Sequence, residues 1–120
     1  MIDRRSTSAW LLAAAATAGL ASACGSSGPT DRDQIASIIS AGGAHPATLC
    51  SHLTDPLLSD LGGKAGCRHQ AASVPGDPTT HATSIRVRGR TATAVVVDRT
   101  GRRAIRFVKQ RGTWKVSGVG

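Results

Sequence analysis

Two short patterns in this 120-residue chain could carry chemistry. Cys50-Ser51-His52 and Cys67-Arg68-His69 are both Cys-x-His triplets. Together they offer two thiolates and two imidazoles, a full set for a tetrahedral zinc ion. Their one-residue spacing is tighter than the two to four residues usual in structural zinc sites. The same two sulfurs could instead oxidise to a disulfide. Other candidates are few. His45, His52, His69 and His81 are scattered, and solvated surface is the plain reading of each. Asp31, Asp33, Asp55, Asp60 and Asp77 fall at caps, turns or loops, and Asp98 falls at a hairpin turn. None lies mid-strand between apolar residues, where burial would raise a carboxyl pKa for general-base work. No Gly-x-Ser-x-Gly elbow occurs, and Gly62-Gly63 lacks phosphate-loop spacing. The expectation is a protein that is not an enzyme, with no catalytic residue, no metal and no cofactor.

The third cysteine has a different setting. Arg4 and Arg5 precede an uncharged, Ala- and Leu-rich run over residues 9–20. That run suits the apolar region of an export signal better than a membrane span, which needs about 20 apolar residues. Leu20-Ala21-Ser22-Ala23-Cys24 then resembles the lipobox of bacterial lipoproteins. The resemblance implies that residues 1–23 are a signal peptide. It also implies that Cys24 carries a diacylglyceryl thioether as the first mature residue. Residues 24–30 would be the lipidated cysteine and its flexible tether, with Gly25-Ser26-Ser27-Gly28-Pro29 supplying the flexibility. Ser6-Thr7-Ser8 lacks the apolar residues of a twin-arginine signal, so the general secretory route is expected. The expected location is the cell membrane, lipid-anchored, on its extracytoplasmic face. With Cys24 given to lipid, Cys50 and Cys67 remain as a pair in an oxidising compartment. A disulfide is then the expected state, with zinc the alternative.

Charge is unevenly placed. The chain has 15 Lys and Arg against 7 acidic residues, a net charge of +8. Residues 25–84 hold three basic and five acidic side chains, whereas residues 85–116 hold ten basic and one acidic. Arg86, Arg88, Arg90 and Arg106 alternate with or flank apolar positions, which predicts a basic outer face on a sheet. That face could dock anionic lipid headgroups or wall polymers. Nucleic acid would suit the same charge, but an exported protein is in the wrong compartment for it. Trp10, Phe107 and Trp114 are the only aromatic residues, too few for base stacking.

The elements that must position these groups follow from periodicity. Asp31 with Gln34 forms a capping-box-like start, Ile35, Ile38 and Ile39 share one face, and Gly42-Gly43 marks a stop. A helix is predicted over 31–41. Residues 46–61 are read as two short helices or one kinked helix, with a cap at Thr54-Asp55-Pro56. Residues 73–82 are read as a loop. The pattern then changes to alternation with short turns, predicting strands at 83–88, 91–98, 103–109 and 113–118. The fold class is α+β: two to three N-terminal helices packed on a four-stranded antiparallel sheet, in one domain over 31–120. The predicted core is Ile35, Ile38, Ile39, Leu53, Leu57, Leu61, Ile85, Val87, Ile105, Phe107, Trp114 and Val116.

Leading helices, a run of hairpins and a last strand reading Gly112-Thr113-Trp114-Lys115-Val116 resemble the nuclear-transport-factor-2-like cone in a reduced form. Small lipoproteins of high-GC Gram-positive bacteria carry domains of this kind. The resemblance implies a curved sheet, and possible homodimers formed through it. Any space left in the cone would suit a small apolar ligand. No catalytic residue carries over from the family's enzymes, since no Asp or His here occupies the expected inner position.

Overall fold

The computed structural model describes residues 30–120. The expected signal segment, Cys24 and residues 25–29 of the tether lie outside the described residues. Helix α1 spans Asp31–Ala44, a 3₁₀ turn follows at Pro46–Ser51, and helices α2 (Asp55–Asp60) and α3 (Gly63–Ala71) complete the first half. Strands β1 (His81–Arg88), β2 (Thr91–Asp98), β3 (Gly101–Gln110) and β4 (Thr113–Val119) form the second half. They pair antiparallel in chain order, as a four-stranded meander. The α+β expectation therefore holds, and all four strands lie where alternation placed them. Two register shifts, at Ala82/Ser84 and Arg106/Phe107, are bulges of the kind that bend a sheet.

Helix α1 starts at Asp31, where the sequence placed it, but its cap lies one residue earlier. Thr30, not Asp31, is the cap: its hydroxyl accepts from Asp33 N, and the Asp33 carboxylate accepts from Thr30 N. The helix also runs through Gly42 and Gly43 to Ala44. These glycines are contact points rather than a stop. A Cβ on Gly42 would collide with the Leu49 side chain, and one on Gly43 with Thr80. The predicted 46–61 unit is a 3₁₀ turn followed by a short helix. Between them Leu53 makes a parallel bridge to β4, with Thr54 N donating to Val116 O at 3.0 Å and Val116 N to His52 O at 2.6 Å. Helix α3 has no apolar repeat, because Cys67 is its one buried residue.

The core gathers between α1 and the inner sheet face. Ile35 and Ile39 are buried against Ala92, Ala94 and Val96 of β2, Phe107 of β3, and Trp114 and Val116 of β4. Ile38, Leu53, Leu57, Ile85, Val87 and Ile105 are partly buried around them. The small β2 residues were not in the predicted core. Asp31 locks the helix across this face. Its Oδ1 accepts from Lys109 Nζ at 2.9 Å and from Trp114 Nε1 at 3.0 Å. These hydrogen bonds, to Lys109 and then Trp114, hold the Asp31 carboxyl below its ordinary pKa.

Gly43→Ala tests the contact role. Alanine favours a helix over glycine by about 1 kcal/mol, yet overpacking costs about 1–3 kcal/mol. The urea midpoint of the variant should fall. A rise would mean that Thr80 yields freely and the close approach is unimportant.

Candidate functional site

Cys50 sits at the end of the 3₁₀ turn and Cys67 in the middle of α3, both buried. They form a disulfide across a sequence separation of 17, with Cα atoms 5.9 Å apart. Neither sulfur is then a free thiolate for zinc. Among the described residues, no three His, Cys or Asp side chains are grouped to hold a metal ion. The bridge fixes α3, which has little apolar surface of its own, to the turn that carries Leu49 and leads into Leu53.

That bracing leaves space. A pocket of about 440 Å³ opens between the helical layer and the inner sheet face. Ile38 and Ile39 of α1 form one wall, Leu49, Leu53 and Leu57 a second, and Val96, Ile105, Phe107 and Val116 the floor. Val74 and Val119, the two exposed large apolar residues among those described, also line it. Leu61, expected in the core, lines this pocket instead. The lining is overwhelmingly apolar.

Polar groups collect at one end. Asp77 accepts from Thr79 N at 2.9 Å, from the Thr79 hydroxyl, and from Arg99 N at 2.9 Å. Its own N donates to Gly43 O at 2.7 Å, tying the loop to α1. Asp98 accepts from the Thr100 hydroxyl and Thr100 N, and pairs with Arg103 at 2.9 Å. The Thr79 hydroxyl, then Arg99 N, hold the Asp77 carboxyl far below the usual carboxylate range. Thr100 does the same for Asp98, more weakly. Both carboxylates are thus ionised and already satisfied. Neither is poised to take a proton from a ligand near neutral pH.

The histidines divide. His45, His69 and His81 are exposed, and a His81 ring nitrogen lies 2.8 Å from Thr79 O. His52 is half-buried, and its Nδ1 is enclosed without a hydrogen-bond partner. It borders a shallower cleft of about 340 Å³ beside Trp114 and Asp33. Asp33 is engaged in the helix cap, so no His–carboxylate pair is assembled there.

The arginines lie mostly as alternation placed them. Arg86 and Arg106 both pair across Thr93, and Arg88 pairs across Thr91, all on the outer face. Arg90 departs from that set. It sits in the β1–β2 turn, with Nη2 donating to Lys109 O at 3.2 Å. Lys109 N donates in turn to Arg90 O at 2.8 Å, so these contacts hold Arg90 at the sheet end. Arg102, not singled out in sequence, pairs across Val97 on the outer face.

No family model, curated protein or solved structure matches the chain. Among the described residues, no helix is long and apolar enough to cross a membrane.

Two outcomes follow from this geometry. Reducing the disulfide should cost about 3 kcal/mol of stability, read from urea melts with and without reductant. An unchanged midpoint would mean that the helical layer holds without it. The Asp77 contribution has a definite pH sense. Its folded pKa is lowered from 3.8, so its stabilisation is present above that value and is lost as pH falls below it. Asp77→Asn should weaken the protein at neutral pH and flatten the fall in urea midpoint below about pH 4. An equally steep fall in the variant would assign acid sensitivity to other carboxylates.

Proposed function

We propose that this chain is a lipid-anchored, extracytoplasmic binding module whose pocket takes a small apolar ligand. The observation that carries the reading is the pocket itself. Its volume of about 440 Å³ lies within the roughly 300–1,000 Å³ of small-molecule sites. Its walls are aliphatic, and its polar end is closed by carboxylates that already have partners. A neutral, hydrophobic molecule fits that chemistry, whereas a charged ligand would lack a free counter-charge. No acid–base pair is assembled among the described residues, which favours binding over catalysis. The Cys50–Cys67 disulfide supports an oxidising compartment, in keeping with the lipobox-like segment ending at Cys24. Helices over a bulged antiparallel sheet, with space between them, support a reduced nuclear-transport-factor-2-like cone as the finer description of the fold.

Two measurements test this. A native mass spectrum of protein extracted from membranes should show a diacylglyceryl group on a chain beginning at Cys24. An unlipidated mass would remove the anchor and the location with it. Titration with a neutral fluorescent hydrocarbon probe should saturate at one site. Ile105→Trp, which fills the pocket floor, should weaken probe binding by roughly tenfold or more. A milder change, Val119→Asp at an exposed position lining the pocket, should weaken it without loss of stability. No saturable binding to the folded wild type would overturn the reading.

A further inference from the structure

We propose that the outer face of the sheet docks on an anionic phospholipid surface. The inference does not rest on the pocket. Asp31, Asp77 and Asp98 neutralise Lys109, Arg99 and Arg103 respectively. Asp98 is the sole acidic residue after Asp77 in the chain. Arg86, Arg88, Arg102 and Arg106 are left on the outer face, all exposed, with no acidic partner among the described residues. Lys115 is turned to the strand edge, donating to Ser51 O at 3.0 Å.

The arrangement of these four arginines favours a surface over a strand-like polymer. Arg86 and Arg106 flank Thr93 in one cross-strand row, Arg88 stands in the next, and Arg102 lies four residues along β3 from Arg106. At about 3.3 Å per residue and 4.8 Å per strand, this is a two-dimensional array rather than a track. Half-buried Val95, Ala104 and Val108 lie between the cations. Guanidinium groups suit phosphate oxygens through paired donors. Phe107 and Trp114 both point inward and are buried, so the face has neither base-stacking groups nor interfacial aromatic anchors. Docking is therefore electrostatic, shallow and sensitive to salt.

The test is co-sedimentation of the full chain with vesicles. One set is phosphatidylcholine alone, and the other contains roughly one-third phosphatidylglycerol. The difference between the two sets removes any contribution from the apolar N-terminal residues. Anionic lipid should increase binding, and the increase should vanish on going from about 0.05 M to about 0.3 M salt. The double variant Arg86→Gln/Arg106→Gln should lose roughly tenfold or more of the lipid-dependent increase. Arg68→Gln, an exposed change on α3, should leave it nearly intact. Near-ultraviolet circular dichroism from Trp114 checks that each variant is folded. The proposal is overturned by binding that ignores phosphatidylglycerol, or by equal losses in the Arg68 and double variants. Tighter binding to a soluble glycerol-phosphate polymer than to vesicles of equal phosphate content would also overturn it, in favour of a polymer partner.

Discussion

One carboxylate joins the first turn of α1 to the last two strands of the sheet. Asp31 opens α1 and meets Lys109 and Trp114, which stand 78 and 83 residues further along the chain. The indole nitrogen is on an otherwise apolar, buried ring and needs an acceptor. The lysine lies 5.8 Å from the centre of the same ring. Satisfying all three groups sets α1 across the inner sheet face. Ile35 and Ile39 are then carried onto Ala92 and Ala94, whose small side chains admit a close helix. The far end of α1 is set by different contacts: Gly42 against Leu49, Gly43 against Thr80, and Gly43 O with Asp77 N. The pocket lies toward this far end, where aliphatic walls replace the aromatic packing near Trp114.

The sheet was the most legible part of the sequence. Ile85/Val87 and Ile105/Phe107 alternate with arginines, and Gly89, Gly101 and Gly112 punctuate the turns. Both signals are local, so they survive without knowledge of the tertiary structure. The helical half was harder for physical reasons. Gly42-Gly43 reads as a terminator, yet the glycines are there because neighbouring side chains occupy the space of a Cβ. Helix α3 carries no apolar stripe, since a covalent bond to Cys50 replaces the packing that would announce it. The disulfide pairing was legible once Cys24 was set aside. The pocket was not, because its existence depends on how far the helical layer stands from the sheet. Eight of the residues that line it, Ile38, Leu57 and Ile105 among them, were expected in the core.

Electrostatics divide the molecule as cleanly as packing does. Three aspartates are spent on fastening: Asp31 on the sheet, Asp77 on the β2–β3 turn, and Asp98 within that turn. Each neutralises one cation. Among the described residues no acid pairs with the other arginines of the sheet, and alternation puts most of these on one side. The inner face is largely apolar and borders the pocket, while the outer is cationic and open to solvent. Arg90 shows the limit of alternation. A residue in the turn answers to the nearest carbonyl, here that of Lys109, rather than to the strand's period.

The Asp31 junction also constrains the order in which the chain can acquire structure. Each hairpin of the meander joins neighbours in sequence and can close as soon as its second strand exists. The helix cannot be fastened until Lys109 and Trp114 have been made. Until then Ile35 and Ile39 have only part of the sheet to cover them. A nascent chain must therefore keep its first helix unlatched through the synthesis of nearly the whole domain. If the chain is exported as proposed, that delay has a use: a segment that cannot finish folding remains one that can still be translocated.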